Sequence, residues 1–302
     1  MRNLKEYKLN QLYKMDSGIG TSKKQAGHGA PFVSFSDIFN NEILPDELTE
    51  KMDTTKEEQE KYSVKKGDIL ITRTSETLDE LAMSSVALKD YPKATFSGFA
   101  KRLRPIQNNI TYDKFMAFYM RSKYFRKIIN SKAVMTLRAS FNDAIFSYIS
   151  ILLPEYKEQV KIGDWFYEIE KKIRNNIKIN KELENIGKDI YDYWFLQYEY
   201  PKDEENSYDL SKEKFVWNDE LKIQIPKDWK VKKVSEIVDL ISGYAFSSKE
   251  YTEKGKYKLY TIKNVHDGNI VSKVDNYISD IPNSMPNECI LHPTDIVMSL
   301  TG

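Results

Sequence analysis

Short apolar runs in the first half of the chain predict strands. Residues 30–35 and 67–72 are apolar, favour β structure and are bounded by Gly or Pro. Residues 144–154 form a later apolar run that Pro154 ends, which is typical of a buried strand or a short helix. These runs are too short and too widely separated for an all-helical protein, so they predict at least one β-sheet.

Helical periodicity follows in the next segment. Residues 111–130 place apolar side chains at helical spacing beside a basic face: Phe115, Phe118, Tyr119 and Ile128. With the strands, this predicts an α/β (α+β) domain with a mixed or antiparallel sheet over residues 1–154.

A much longer helix is predicted next. Residues 158–198 contain no proline, and a helix of this length would extend roughly 60 Å at 1.5 Å per residue. Along this segment a set of residues recurs at alternating spacings of three and four positions, which predicts a coiled-coil seam. Its members are Phe166, Ile169, Ile173, Asn176, Asn180, Leu183, Gly187, Ile190 and Trp194. Asparagines in such a seam lower stability but fix register, and a glycine lets a partner helix approach. A core helix of a globular domain is the alternative interpretation.

The chain repeats itself at an offset of 227 residues. Phe35-Ser36-Asp37-Ile38 aligns with Ile262-Lys263-Asn264-Val265, and residues 67–74 align with residues 294–301. Two local motifs in one register predict a second copy of the first domain. We therefore expect a first recognition domain at 1–154, a spacer helix at 155–200, a linker at 201–224, and an incomplete second domain at 225–302.

Composition places few limits on function, but the charge pattern is informative. The 302 residues carry a net charge of +1. Residues 37–60 nevertheless hold nine acids and two bases, a net of −7, whereas residues 84–140 hold twelve bases and two acids, a net of +10. A basic segment interleaved with Phe and Tyr is typical of nucleic-acid binding, and a merely solvated basic face is the alternative.

Features of an enzyme or of an exported protein are weak. Cys289 is the single cysteine, which fits a reducing compartment. The sequence predicts a cytoplasmic protein with no signal peptide and no membrane contact. The segment Gly18-Ile19-Gly20-Thr21-Ser22-Lys23-Lys24 lacks the ending of a phosphate-binding loop. Cys289 and His292 are too few to bind zinc, so we expect no metal site and no catalytic residues.

The spacer helix carries the most specific motif, Ile190-Tyr191-Asp192-Tyr193-Trp194-Phe195, after Glu182-Leu183-Glu184. With Phe32-Val33-Ser34-Phe35-Ser36-Asp37-Ile38 and Gly67-Asp68-Ile69-Leu70-Ile71-Thr72-Arg73, it resembles the specificity subunits of type I restriction–modification systems. Their order, spacing and duplication carry the resemblance along the whole chain, and a truncation within the second target recognition domain is expected.

The resemblance implies a DNA-binding, non-catalytic specificity subunit that reads part of a bipartite double-stranded target. Long helices set the spacing between the halves. An adenine methyltransferase subunit with S-adenosylmethionine would dock on this scaffold for DNA methylation, and a restriction subunit would use ATP and Mg. This chain itself would bind no cofactor.

Three segments hold the candidate DNA contacts: the loop of residues 17–25, the loop of residues 73–75 after a predicted strand, and residues 137–140 between the basic helix and the last apolar run. Lysine and arginine contact phosphates, whereas arginine and amide side chains read base edges. The candidates are Lys23, Lys24, Gln25, Arg73, Thr74, Ser75, Arg138 and Ser140.

Several alternatives remain open. One alternative is a self-contained methyltransferase or nuclease with an added recognition domain. The others are a structural binder and a non-productive fragment of a longer protein. Alternatively, the unpaired helix forms a homodimer that reads a palindromic bipartite site. The sequence does not reveal the DNA sequence that is recognised.

Overall fold

The computed structural model describes residues 4–75, 77, 80–132, 139–198, 215–266, 269–270 and 273–299. The chain forms two compact units, residues 1–192 and residues 193–302, which are described separately. Residues 201–214 of the predicted linker lie outside the described residues. The domain limits predicted from the sequence therefore stay predictions.

The first unit mixes short strands with seven helices among its described residues. In chain order its elements are β1 (Lys5–Lys8), α1 (Leu9–Leu12), β2 (Tyr13–Ser17), β3 (Ala26–Val33), α2 (Phe35–Asn40), β4 (Lys51–Met52), α3 (Lys56–Lys61), β5 (Ile69–Thr72), β6 (Thr74–Ser75), β7 (Ser84–Val86), β8 (Thr95–Phe96), β9 (Ala100–Pro105), α4 (Asp113–Tyr119), α5 (Lys123–Lys132), β10 (Ala139–Ser140), α6 (Asp143–Tyr148), β11 (Ser150–Leu153) and α7 (Tyr156–Tyr191).

The principal sheet of this unit is antiparallel. Its four strands lie in the order β2–β9–β5–β7. A second sheet, β4–β3–β8, is mixed, because β3 is antiparallel to β4 and parallel to β8. Two strand pairs, β1–β11 and β6–β10, complete the unit. The predicted α/β fold with a mixed or antiparallel sheet is confirmed.

Strand β5 separates two hydrophobic cores. Ile69 and Ile71 point into one core, which α4, α5 and α6 cover, and Leu70 points into the other, against α2 and β8. Successive side chains of a strand lie on opposite faces, so a strand buried on both faces is apolar at every position. This explains why Ile69, Leu70 and Ile71 form an uninterrupted apolar run within residues 67–72.

Two predicted elements each divide into two. The helix predicted over residues 111–130 is interrupted between α4 and α5, because Ser122 accepts a hydrogen bond from the Phe125 amide and begins a new helix. The run 144–154 forms helix α6 followed by strand β11. Both of the structures considered for that run are therefore present, one after the other.

The long helix is confirmed, with different ends. Helix α7 contains 36 residues and continues into a π-helical turn of five residues, Asp192–Leu196. Gln159 anchors its first turns: the side-chain amide is buried, accepts from the Tyr112 amide and donates to the carbonyls of Ile110 and Pro154. The beginning of α7 is thus part of the first unit's packing, as the core-helix alternative predicted.

Gly163 lets α7 lie directly on α4. A Cβ atom at this position would be 2.6 Å from the Phe115 amide nitrogen, well inside a normal contact. One residue further on, the Asp164 carboxylate accepts from the Tyr112 hydroxyl at 2.7 Å and from Lys114 Nζ at 2.8 Å. These hydrogen bonds, that from Lys114 first, lower the pKa of Asp164.

The second unit holds short strand pairs in its described part. They are β12 (Phe215–Asn218) with β13 (Ile223–Pro226), β14 (Tyr257–Leu259) with β17 (Asn276–Ile278), and β15 (Val265–His266) with β16 (Asn269–Ile270). At the offset of 227 residues, β14 corresponds to residues 30–32 of β3. Both strands pair antiparallel with a later strand, β17 and β4.

A helix cap recurs at the repeat offset. Ser34 caps α2, and its amide donates to the Asp37 carboxylate at 2.9 Å. In the second unit, the Thr261 amide donates to the Asn264 side chain at 3.0 Å and begins a 3-10 turn. Both positions form a reciprocal capping box, which is the same local structure 227 residues apart.

The turn before β5 also recurs at the repeat offset. The Lys65 amide donates to Asp68, and the His292 amide donates to Asp295, each at 2.8 Å. The residue before each aspartate, Gly67 or Thr294, has a positive φ, 87° and 84° respectively. The sequence repeat is therefore also a repeat of backbone conformation.

The two copies differ in burial. Ile69 and Ile71 are fully buried in β5, whereas their counterparts Ile296 and Met298 are exposed, Ile296 to 84%. In the described part of the second unit, residues 295–299 form no strand.

The packing of α7 gives a paired prediction. Gly163→Ala will lower the free energy of unfolding by about 1–3 kcal/mol, because the added methyl overpacks the contact with α4. Gly20→Ala, at a glycine with nothing within 4 Å and no positive φ, will instead leave stability unchanged or raise it by up to about 1 kcal/mol. Urea unfolding followed by circular dichroism measures both. Equal effects at the two positions would contradict the close packing of α7 on α4.

Candidate nucleic-acid interface

Three strands of the principal sheet each have one end at the same edge of the sheet. Because β2 and β5 are each antiparallel to β9, the carboxyl ends of β2 and β5 lie beside the amino end of β9. The segments that continue from these ends are residues 17–25, 73–75 and 97–100. With residues 139–140, they are called the loop cluster below.

Two glycines hold the first and third segments together. A Cβ atom on Gly18 would be 2.1 Å from the Ser97 carbonyl oxygen, and one on Gly98 would be 2.9 Å from the Ile19 oxygen. The close approach lets the Gly98 amide donate to Ile19 at 2.7 Å and the Gly18 amide donate to Ala100 at 3.2 Å. Gly18 is therefore required for close packing.

Arg73 lies at the centre of the loop cluster. Its amide donates to the Phe99 carbonyl and its own carbonyl accepts from the Phe141 amide, both at 2.8 Å. The side chain is exposed. In the described part of the chain, no hydrogen bond or ion pair engages the guanidinium group. The backbone is thus fixed from both sides while the guanidinium group faces solvent.

The two segments predicted around Arg73 and Ser140 meet directly. Thr74 pairs with Ser140 and Ser75 with Ala139 in the antiparallel ribbon β6–β10. Thr74, Ser75 and Ser140 are half-buried, so their hydroxyl groups remain near the surface. These residues are 64 or more positions apart in the sequence, and the ribbon brings them together beside Arg73.

The remaining candidates are placed differently. Lys23 and Lys24 are exposed on a short 3-10 turn (Lys23–Gln25). The Gln25 side-chain amide already makes hydrogen bonds within the chain, since it accepts from the Ser22 amide at 3.0 Å and donates to the Asp53 carbonyl at 3.2 Å. Arg138 lies outside the described residues.

Residues 97–100 were not predicted from the sequence to belong to the site. Phe99 has 68% of its surface exposed, on a turn whose neighbours Ser97 and Ala100 are buried. The sequence feature that could have pointed to this segment is an aromatic residue next to Gly98, between two strands. Sequence reasoning missed it because only polar and charged residues were considered as DNA contacts.

Most arginines of the basic segment serve the fold. Arg121 donates to the carbonyls of Ile38, Phe39 and Asn41 at the end of α2, and burial lowers its pKa. Arg102 is 4% exposed and donates to Asp16 at 2.8 Å. The net charge of +10 counted in the sequence therefore overstates the positive charge on the surface.

Arg104 makes the tightest of these ion pairs. It donates to both oxygens of the buried Asp68, at 2.7 and 2.6 Å, and the hydrogen bond to Asp68 raises the pKa of Arg104. Burial acts to raise the pKa of Asp16, but the hydrogen bond and charge of Arg102 and the charge of Lys14 outweigh it and lower that pKa. The Asp16 carboxylate therefore stays ionised beside Arg102.

The predicted seam of α7 is mostly exposed. Phe166 packs on Phe118 with ring centres 5.3 Å apart. Beyond it, the seam residues on α7 are exposed, Leu183 to 60%: Ile169, Ile173, Asn176, Asn180, Leu183 and Ile190. Trp194 lies in the π-helical turn against Phe195. The far half of α7 thus presents an apolar face with no cover from the first unit.

Metal and membrane sites have no support in the described residues. No group of three or more His, Cys, Asp or Glu side chains there is arranged to bind a metal ion. No helix in the same residues has the length and apolarity needed to cross a bilayer.

The sequence profile described as "Type I restriction modification DNA specificity domain" matches residues 1–185 and 226–290. The chain therefore belongs to this family of DNA specificity domains.

Curated members of the family are longer. The type I restriction enzyme MjaIX specificity subunit of Methanocaldococcus jannaschii is 27% identical over 259 residues, covering 84% of this chain and 55% of that protein. The HindI specificity subunit of Haemophilus influenzae is 25% identical over 182 residues, covering 56% of this chain and 36% of that protein. The chain spans about half, or less, of the curated relatives that it matches.

Solved structures with a similar fold include the type I restriction-modification S subunit from M. genitalium. It is 15% identical and covers 94% of this chain and 63% of that chain, with a TM-score of 0.47. The HsdS subunit from Thermoanaerobacter tengcongensis is also 15% identical, covering 64% of this chain and 44% of that chain with a TM-score of 0.39.

Proposed function

We propose that this chain is the DNA sequence-recognition subunit of a type I restriction–modification complex, and that its first unit reads one part of a bipartite target. The observation that carries the proposal is the loop cluster. There, four segments from distant parts of the sequence meet at one edge of a rigid sheet.

The chemistry of the loop cluster suits base reading. A major groove about 12 Å wide admits a two-stranded β-ribbon, and β6–β10 is such a ribbon. The exposed Arg73 guanidinium group offers the paired donors that guanine accepts at O6 and N7, and hydroxyls such as that of Ser140 donate to or accept from any base edge. The fixed backbone of Arg73 reduces the entropy that binding costs.

Phosphate contacts come from the edge of the same cluster. Lys23 and Lys24 are exposed on the turn after β2, and in the described part of the chain no ion pair neutralises either of them. Such lysines add affinity for any DNA sequence and release counterions, so their contribution falls as salt rises.

These roles make separate predictions for the two kinds of residue. Arg73→Ala will reduce discrimination at one base pair by about 1–3 kcal/mol, because a bidentate base contact is lost. Lys23→Ala with Lys24→Ala will weaken binding to all sequences and lower the salt slope by about 1 for each lysine that contacts a phosphate. Selection from a random-sequence duplex pool, followed by binding at several salt concentrations, measures both effects.

A matched control is Lys5→Ala, because Lys5 is exposed on β1, separated from the loop cluster by α1 and the whole of β2. Lys5→Ala should change neither the base discrimination nor the salt slope of binding. An unchanged sequence preference in Arg73→Ala would remove Arg73 from the reading surface.

The far half of α7 supports the second part of the proposal, which is assembly. The exposed seam around Leu183 would bind another long helix, and this scaffold would dock the methyltransferase subunit and, with it, the restriction subunit. Methylation with S-adenosylmethionine and ATP-driven cleavage with Mg would take place on those partners. A second copy of this chain supplies that long helix, and the dimer then reads a palindromic site.

The dimer has a direct test. Light scattering at micromolar concentration should give twice the mass of one chain for the wild type. The Leu183→Asp variant should give the mass of a single chain, because the substitution places a charge in the apolar seam. Lys181→Asp adds the same side chain on a different face of α7 and should keep the dimer. A wild-type monomer would contradict assembly through α7.

A further inference from the structure

We propose that Phe99 determines specificity by reading the 5-methyl group of a thymine in the major groove. This inference rests on the proposed function of the loop cluster and adds one residue and one chemical group to it. Phe99 is the only aromatic residue in that cluster.

The turn that carries Phe99 is held on both sides. The Gly98 amide donates to Ile19 at 2.7 Å, the Ala100 amide donates to Ser97 at 2.9 Å, and the Phe99 carbonyl accepts from Arg73 at 2.8 Å. The Phe99 amide donates to the Ser97 hydroxyl at 3.2 Å. The backbone position of Phe99 is therefore set by the fold before any ligand binds.

The ring itself is not used by the fold. It is 68% exposed, whereas Phe96, three residues earlier, is fully buried in the second core. A large aromatic side chain that is exposed on a fixed turn presents apolar area at a low entropic cost of binding. This arrangement favours a contact surface over a packing role.

The neighbours of Phe99 identify the contact. The residue that hydrogen-bonds its carbonyl, Arg73, leads directly into the ribbon β6–β10. A two-stranded ribbon fits the major groove, whereas the minor groove is only about 6 Å wide. In the major groove the thymine methyl is the apolar group on the base edges, and phenylalanine is among the side chains that contact it.

The test is a cycle between protein and DNA. The full-length wild-type chain first selects its preferred duplex from a random-sequence pool. Each thymine of that duplex is then replaced in turn by deoxyuridine, which removes only the methyl group. Affinity is measured for wild type, Phe99→Ala and Phe99→Leu.

We expect one thymine whose replacement weakens wild-type binding about four-fold, the value for one buried methyl. Phe99→Ala should bind the thymine and deoxyuridine duplexes equally, and Phe99→Leu, which keeps an apolar contact, should retain part of the difference. Tyr148→Ala is the matched control, because Tyr148 is also exposed but lies at the end of α6, beside the opposite end of β2. It should keep the full four-fold difference.

The outcomes separate the inference from the proposed function. Selection of no sequence by wild type would overturn the proposed function itself. A selected motif with no A·T pair, or a methyl effect that persists in Phe99→Ala, would overturn the inference alone. DNA bending that disappears in Phe99→Ala without any methyl effect would instead assign the ring to a wedge between base steps, and would also overturn it.

Discussion

The order β2–β9–β5 in the antiparallel sheet is the constraint on which the candidate site depends. Because β2 and β5 are both antiparallel to β9, this order places their ends beside the start of β9, and the contact between Gly18 and Ser97 then holds the segments that follow. Main-chain hydrogen bonds fix Arg73 and Phe99 relative to each other. The loops therefore carry varied side chains on a backbone that the core determines, which is how a rigid scaffold supports a recognition surface.

Charge in this protein serves two separate purposes. Arg102, Arg104 and Arg121 hold carbonyl groups and carboxylates inside the first unit, where an unpaired arginine or aspartate would be costly. The exposed cations of the loop cluster, Arg73 and the lysines of the 3-10 turn, come from outside the segment with the highest positive count. A basic stretch of sequence is thus a poor guide to the basic surface of the folded unit.

The sequence predicted parts of β3 and β5, the long helix and the repeat, because each produces an apolar, periodic or duplicated pattern. It also proposed the segments around Arg73 and Ser140 as candidates, the first because it follows a predicted strand and the second because it lies between the basic helix and the last apolar run. It did not predict that β6 and β10 pair, because pairing between residues so far apart depends on the whole sheet. Phe99 was missed because only polar and charged residues were considered as DNA contacts. Helix α7 ends earlier than predicted because the backbone changes to a π-helical turn at Asp192.

Methyladenine sequencing in cells that express this chain with a type I methyltransferase subunit tests the central claim most directly. Wild type should produce one bipartite motif. A chain altered only in the loop cluster, Arg73→Ala with Phe99→Ala, should lose or weaken the base preference at positions within that motif. The spacing between the two halves should stay the same. An identical motif from both chains would show that the edge of this sheet does not read DNA.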